Sequence, residues 1–260
     1  WGQSVSTTQY NQIRLWSEAN FGEYLLINPA NGAIYLWIPN YDSNGTLVIN
    51  NRAVLLSPTS SGAYQTDADC PTVASLVTVS DASRFVIAFG ANDIGSTQQD
   101  PMLVRWSDQE SYTTWTPSIT NQAGSYRLSS GSFIVAAQQT RQEILVWTDG
   151  ALYSMQYLGP PYVCGFNILS DNISIISPNA VATANNITYW MGADKFFMYS
   201  GRVETLPCSV RQFIFQNLNK DQAYQVFAAS NEQCSEVWWF YCSTGSTTVD
   251  SYVVYNYLDR

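Results

Sequence analysis

Five times along this sequence, a short run of aromatic and aliphatic residues reaches a tight turn and is followed by a second such run. The turns contain Gly, Asn, Asp or Pro, which turns between antiparallel strands favour. The five predicted hairpins span 24–37, 85–106, 144–157, 187–199 and 237–255. Because they recur roughly every 40 to 60 residues, a spacing that suits four-stranded sheet units, the sequence predicts repeated blades.

The fold class predicted by this repetition is all-β, a β-propeller-like arrangement of about five blade-like antiparallel sheets. Segment 209–219 departs from the β pattern and is predicted to be one short helix, with Ser209 as a candidate N-cap. Its apolar residues recur at the spacing of one helix face: Val210, Phe213, Ile214 and Leu218. We therefore expect an amphipathic helix packed on the sheets.

Two further features bear on how the blades are arranged. Pro160 and Pro161 cannot take part in a regular strand ladder, so we expect them to mark a crossing between two sheet units. Large aromatic side chains are predicted to fill the wedge between neighbouring sheets, namely Trp147, Trp190, Trp238, Trp239 and Phe240.

Composition limits the classes of partner. Of the 260 residues, 46% are hydrophobic and only 12% are charged, so uncharged polar residues must cover much of the surface. The net charge is −9, and Lys195 and Lys220 are the only lysines. Wrapping nucleic acid requires clustered cations, so we do not expect it. Polar residues interrupt every apolar run, so we expect no membrane anchor.

The absence of histidine from the sequence excludes Ser-His-Asp triads and histidine-ligated metals. Neither glycine-rich phosphate-binding motif occurs, which leaves nucleotide binding without local support. Asp67-Ala68-Asp69 lacks the Gly and Glu that a calcium loop requires and is interpreted as a turn. We predict no cofactor and no metal site.

Paired carboxylates are the remaining catalytic option, since a glycosidase needs two acids in one cleft. The candidates are Asp108, Asp149, Asp194 and Glu236. Asp149 and Asp194 occupy equivalent places in two predicted hairpins, where Asp favours the turn conformation. We therefore predict a protein that is not an enzyme and has no catalytic residues.

The five cysteines contain no Cys-x-x-Cys pair, and their odd number cannot all pair within one chain. We predict reduced thiols in a protein assembled in the cytosol. A bridge between Cys234 and Cys242, which bracket a predicted strand, stays open as an alternative.

Several short sequence blocks follow one another in a distinctive order. They are RLWS at 14–17, NFGE at 20–23, LLINP at 25–29, IY at 34–35, IAFG at 87–90, QDP at 99–101, RWSDQE at 105–110, WTP at 115–117, EILVWT at 143–148, GPPY at 159–162 and LPCSVR at 206–211. In this order they resemble the β-propeller region of tail hub or nozzle proteins of short-tailed bacteriophages. Members of that family carry longer termini, so we expect residues 1–260 to be the β-propeller region of a longer tail protein.

This resemblance implies a virion structural protein, assembled in the host cytoplasm and located in the phage tail. It implies a cyclic homo-oligomer that forms part of the channel for genome ejection and docks an adaptor, fibres or a tail tip. No catalytic residue carries over. An acidic chain with few lysines suits transient passage of double-stranded DNA without specific binding.

Two long polar loops, 41–51 and 90–99, are candidates for contacts with neighbouring subunits, because uncharged loops can enter an interface without desolvating charge. The candidate contact residues are Tyr41, Asn44, Asn51, Asn92, Asp93, Gln98 and Gln99. A plain solvated loop is the alternative in each case.

Two functions from other classes stay open. One is a receptor- or glycan-binding propeller at the tail periphery, which requires exposed Trp and Tyr side chains. The other is the carboxylate glycosidase, which requires two of the candidate acids about 5 to 10 Å apart.

Overall fold

The protein is described by a computed structural model that covers residues 13–48 and 51–259. Their strands form five antiparallel sheets, in each of which the strands lie side by side in sequence order. The fold is a five-bladed β-propeller, which confirms the architecture that the recurring hairpins predict. Four blades contain four strands each, and the fifth contains three.

The strands of the first three blades have the following bounds. Blade 1 comprises β1 (Trp16–Phe21), β2 (Tyr24–Pro29), β3 (Tyr35–Trp37) and β4 (Val54–Leu55). Blade 2 comprises β5 (Leu76–Val79), β6 (Val86–Phe89), β7 (Leu103–Trp106) and β8 (Gly124–Arg127). Blade 3 comprises β9 (Ile134–Gln139), β10 (Ile144–Thr148), β11 (Ala151–Gly159) and β12 (Val163–Asp171).

The remaining elements form blades 4 and 5 and the helical connection between them. Blade 4 comprises β13 (Val181–Ala184), β14 (Ile187–Met191), β15 (Phe196–Tyr199) and β16 (Val203–Thr205). The helix α1 (Arg211–Asn217) and a 3-10 helix (Lys220–Gln225) follow. Blade 5 comprises β17 (Phe227–Asn231), β18 (Glu236–Tyr241) and β19 (Ser251–Asn256), and in the described residues β19 pairs with β18 alone.

Each of the five predicted hairpins is the second and third strand of one blade. A second strand such as β6 or β10 is buried along its whole length, because it has a partner strand on either side and a neighbouring blade on each face. Such strands are continuous apolar runs that the sequence reveals readily. Since strand direction alternates within a blade, all five hairpin turns lie at the same end of the propeller.

The core consists of three apolar clusters that join consecutive blades. The first joins blades 1 and 2 and the second joins blades 2 and 3, while the third extends across blades 3, 4 and 5. In the third, the rings of Trp147 and Trp190 approach to 5.3 Å between centroids, and those of Phe196 and Trp239 to 4.9 Å. As predicted, Trp147, Trp190 and Trp239 fill the wedges between sheets.

The predicted helix is confirmed in position but not in its contacts. Ile214 and Leu218 are buried, whereas Val210 and Phe213 are exposed, so only part of the predicted apolar face packs on the sheets. The prediction that Ser209 is the N-cap is wrong, because Val210 holds that position without a side-chain hydrogen bond. Among the described residues, no helix has the length and apolar character needed to cross a bilayer.

The prediction that Pro160 and Pro161 mark a crossing between two sheet units is wrong. They lie in the turn between β11 and β12, inside blade 3. The ladder ends at the pairing of Gly159 with Val163, so neither proline has to donate a hydrogen bond within the sheet. The physical argument about proline was correct, but it applies to any turn and does not distinguish a turn within a blade from a connection between blades.

Replacing Trp190 by alanine should lower the free energy of unfolding by about 3–5 kcal/mol, since the cavity would lie between Trp147 and Phe197, whose rings are 5.3 and 5.4 Å away. Chemical denaturation monitored by circular dichroism measures this change. The matched control is Trp16→Ala, which removes the same side chain from a position 57% exposed. We expect a change below about 0.5 kcal/mol for the control. Equal effects of the two substitutions would contradict this account of the core.

Candidate functional site

The outward face of blade 5 carries apolar side chains that no other blade covers. Along β18, alternate side chains point into the core from Val237 to Tyr241, and those between them point away from it. The set that points away from the core, here the blade 5 end face, consists of Phe227, Trp238, Phe240, Tyr252 and Val254. Phe227 and Tyr252 are exposed, and the other three are half-buried. Its aromatic rings stack, with centroid distances of 4.8 Å for Phe227 and Phe240 and 5.0 Å for Trp238 and Tyr252.

The wedge-filling role predicted for Trp238 and Phe240 is therefore wrong. Because side chains alternate between the two faces of a strand, only one of the neighbours Trp238 and Trp239 can point toward blade 4. The buried member is Trp239, whose indole N–H donates to the carbonyl of Ala180 at 3.1 Å. Because residues 238–240 are all aromatic, the sequence does not show whether the even-numbered or the odd-numbered side chains of this strand face the core.

Blade 1 presents a second apolar face at the other end of the blade series. Leu26 and Leu36 are fully buried toward blade 2, whereas the alternate side chains of the same strands, which point to the other face of the sheet, are half-buried. This set, here the blade 1 end face, consists of Leu25, Ile27, Tyr35, Trp37 and Leu55. Leu25 pairs with Trp37 across the sheet, and Tyr35 pairs with both Ile27 and Leu55.

Neither end face belongs to an apolar cluster of the described residues. The clusters join consecutive blades from 1 to 5, and within the described part of the chain none joins blade 5 to blade 1. In the described residues, blades 5 and 1 therefore share no apolar cluster. Contiguous exposed apolar surface of this kind marks sites of interaction with proteins or ligands. The two end faces are therefore the candidate functional site.

A cavity of about 330 Å³ lies where the first strands of blades 1, 2 and 3 converge. Its polar lining includes Ser17, Thr78, Gln138 and Asn179, and Glu18 is the one charged residue among the described residues that line it. With no Lys or Arg in that lining, the cavity offers no cation for a phosphate group.

The four candidate acids belong to four different blades. Asp108 follows β7, Asp149 lies between β10 and β11, Asp194 lies between β14 and β15, and Glu236 begins β18. The Asp149 carboxylate accepts the Ser132 N–H at 2.6 Å, which agrees with its predicted role in a turn.

Of the contact residues predicted in loop 41–51, Tyr41 and Asn44 are exposed. Asn51 is half-buried, and its side-chain amide donates to the carbonyl of Ile38 within blade 1. Its own carbonyl accepts the Trp37 indole N–H at 3.2 Å. The Asn51 side chain is thus already engaged inside its own subunit, while a contact role for Tyr41 and Asn44 stays a prediction. Residues 49–50 of this loop lie outside the described residues.

In loop 90–99, the prediction for Asn92 is wrong because this residue is only 3% exposed. Its side-chain oxygen accepts the backbone N–H groups of Thr72 and Val73, at 2.9 and 3.1 Å. The buried Asn92 side chain thus serves as an acceptor for the backbone of a neighbouring segment, and a polar loop sequence does not show which Asn takes this role. Asp93 and Gln98 are exposed.

Gln99 is also held within the subunit, since its amide nitrogen donates to Asn31, Ser75 and Gly90 at distances of 2.8 to 3.0 Å. The two predicted contact loops moreover lie at opposite ends of the propeller. Loop 41–51 connects a third strand to a fourth, and loop 90–99 connects a second strand to a third. Because strand direction alternates, these two kinds of connection emerge at opposite ends, so the loops do not form one surface.

Glu143 and Tyr199 link blade 3 to blade 4. The Tyr199 hydroxyl donates to the Glu143 carboxylate at 2.7 Å, and the other carboxylate oxygen accepts hydrogen bonds from Ser154 and Gln156. Burial, and then the bond to Glu143 and its negative charge, raise the pKa of Tyr199 to about 12. Each oxygen of this carboxylate is occupied by partners from the protein, which indicates a structural link between blades.

All five cysteines are free thiols, so the alternative of a bridge between Cys234 and Cys242 does not hold. Burial raises the pKa values of Cys70 and Cys164 to about 12, which keeps these two thiols protonated at neutral pH. Within the described residues, no group of three or more Cys, Asp or Glu side chains is placed to hold a metal ion.

Comparisons with known proteins extend only to the fold. No protein-family model and no curated protein matches the sequence. Similar solved structures include Hsv2 from Kluyveromyces lactis, at 9% identity and a TM-score of 0.43, with 91% of this chain and 61% of that chain covered. Hsv2 from K. marxianus has 8% identity and a TM-score of 0.42, with 91% and 60% covered.

Another similar structure is the extracellular domain of a putative hybrid two-component system from B. thetaiotaomicron, at 13% identity and a TM-score of 0.48. The match covers 91% of this chain and 27% of that one. This chain thus spans less than two thirds of the length of each of these structures. Their names describe those proteins and assign no function to this chain.

Alkaline pH should destabilise the fold partly through Tyr199. The pKa of tyrosine is about 10 in an unfolded chain, and it is raised to about 12 in the fold. The stabilisation is therefore complete below about pH 10 and is lost as pH rises toward 12, because the folded state then holds the proton more tightly than the unfolded state. Urea denaturation from pH 9 to 12 should show a shallower fall in stability for Tyr199→Phe than for the wild type. Parallel curves for the two proteins would contradict the assignment.

Proposed function

We propose that this chain is a structural subunit of a larger assembly, the tail hub or nozzle of a short-tailed bacteriophage. The observation that supports the assembly part is the pair of apolar end faces, which lie outside every apolar cluster of the described residues. The phage part rests on the order of the sequence blocks. In this role the subunit forms part of a ring around the channel for genome ejection and docks other tail parts.

The charge distribution supports a conduit. The chain carries a net charge of −9, and its sequence contains 11 Lys and Arg residues against 20 Asp and Glu residues. Each cation in contact with phosphate would add salt-dependent affinity for DNA. A surface with few cations lets the genome pass without being held.

Particles of the phage that encodes this chain provide the test. We expect mass spectrometry of purified virions to detect the chain, and electron microscopy with an antibody to it to label the tail below the capsid. Inactivation of its gene should yield filled or empty heads without a complete tail. Normal tails in the mutant, or absence of the chain from purified virions, would end the proposal.

A second function, binding of a receptor or glycan at the tail periphery, is favoured by the aromatic rings of the blade 5 end face. Stacked Trp and Tyr side chains with one open side offer flat apolar surfaces on which sugar rings can lie. Tyr252 is 59% exposed and stacks on Trp238. This surface has the exposed aromatic character that the glycan-binding alternative requires.

If this second function holds, host surface polysaccharide should change the tryptophan fluorescence of the protein, and Trp238→Ala should weaken the binding by about tenfold or more, as loss of one aromatic contact does. The matched control is Trp16→Ala, which removes an exposed tryptophan from outside that face. Binding that is unchanged in Trp238→Ala would exclude this surface as the glycan site.

A further inference from the structure

We infer that a cleft between blades 3 and 4 binds a carboxylate that carries neighbouring hydroxyl groups, as a uronic acid residue of an acidic polysaccharide does. The volume of the cleft is about 380 Å³, which lies in the range of sites for small molecules. This binding activity is separate from the proposed role in assembly and from the aromatic blade 5 end face.

The walls of this cleft, here the blade 3–4 cleft, are three turns at the end of the propeller opposite to the five hairpin turns. They connect β9 to β10 (140–143), β13 to β14 (185–186) and β15 to β16 (200–202). The first turn is fixed by the backbone N–H and the hydroxyl of Thr140, which donate to the Glu143 carbonyl at 2.8 and 2.7 Å. In the second, Asn185 and Asn186 both have positive φ angles, of 51° and 61°, as a tight two-residue hairpin turn requires.

The floor of the cleft is polar. It contains the Glu143 carboxylate and the Tyr199 hydroxyl, joined by their 2.7 Å hydrogen bond, beside the buried Thr188. Among the described residues that line the cleft, Tyr199 supplies the only large apolar surface. An apolar protein segment would have little to pack on there, so the cleft suits a hydrophilic ligand.

Four exposed side chains at the rim have no hydrogen bond or ion pair to any described residue: Arg141, Gln142, Asn186 and Ser200. They come from all three turns and present one guanidinium, two carboxamides and one hydroxyl to the same space. Carboxamides and hydroxyls both donate and accept hydrogen bonds, so they match the hydroxyl groups of a sugar ring.

The charges in the cleft select the kind of ligand. Arg141 is the one cation and Glu143 the one anion among the described lining residues. A guanidinium binds a carboxylate through two parallel hydrogen bonds. Glu143 disfavours a second negative charge nearby, whereas a ligand hydroxyl can donate to its carboxylate. One carboxylate on a hydroxylated ring therefore fits better than a doubly charged phosphate group.

NMR titration of the isotope-labelled chain with three probes tests the inference. Methyl glucuronide carries the carboxylate and the hydroxyls, methyl glucoside carries the same hydroxylated ring without the charge, and acetate carries the charge without the ring. We expect methyl glucuronide to shift the backbone amide signals of the three turns. It should bind about tenfold or more tightly than either other probe, because each of those lacks one set of contacts.

Two variants test the residues. Arg141→Gln should weaken binding of methyl glucuronide by about tenfold or more and leave methyl glucoside unaffected, a difference that a merely structural role would not produce. Asn186→Asp keeps a residue type that tolerates positive φ and adds a carboxylate that repels the ligand, so it should weaken binding as well. The matched control is Arg211→Gln, which removes an exposed arginine at the start of α1, outside the cleft, and should bind like the wild type.

Unchanged signals with methyl glucuronide in large excess, or equal binding of methyl glucuronide and methyl glucoside, would overturn the inference. Binding of acetate as tight as that of methyl glucuronide would overturn it too, since the hydroxyl groups would then contribute nothing. These outcomes are distinct from failure of the proposed function, because the virion experiments ask where the chain resides and the titrations ask what one cleft binds.

Discussion

The packing of each sheet between two neighbouring sheets is the constraint on which this structure depends. A blade has two faces, and strand alternation assigns every second side chain to each of them. The side chains of Trp147, Trp190 and Trp239 fill the spaces between blades. The indole N–H of Trp239, for example, donates a hydrogen bond to the backbone carbonyl of Ala180. In the described residues, blades 2, 3 and 4 satisfy this constraint on both faces, whereas blades 1 and 5 satisfy it on one.

The end faces follow from this constraint. Their residues have the size and apolar character of the buried residues beside them in the same strands, yet no blade of the described residues covers them. Burial of apolar area stabilises an interface by about 25 cal/mol per Å² before the costs of association are subtracted. In the described residues, this apolar area is therefore available for contact with a further blade or with another protein.

The sequence predicts the β-propeller, its five central hairpins and the position of its helix because fully buried strands such as β10 are continuous apolar runs. It misses strands at blade edges such as β8, whose residues are polar because one side faces solvent. The end faces escape prediction for a different reason. Trp238 and Trp239 are adjacent residues of the same type, so the sequence alone does not show which one is buried. The position of blade 4 decides it. Asn92 is a comparable case, since a polar loop does not reveal which of its amides binds the backbone.

The three-stranded fifth blade has a consequence for how this chain must be handled by the cell. In the described residues, β19 pairs on one side only, so its backbone groups form an open edge directly beside an aromatic face. Open edges recruit strands from other molecules, and natural proteins usually protect them with charge, proline or a covering segment. A copy whose β19 edge stays unpaired would therefore be prone to pair with strands of other molecules.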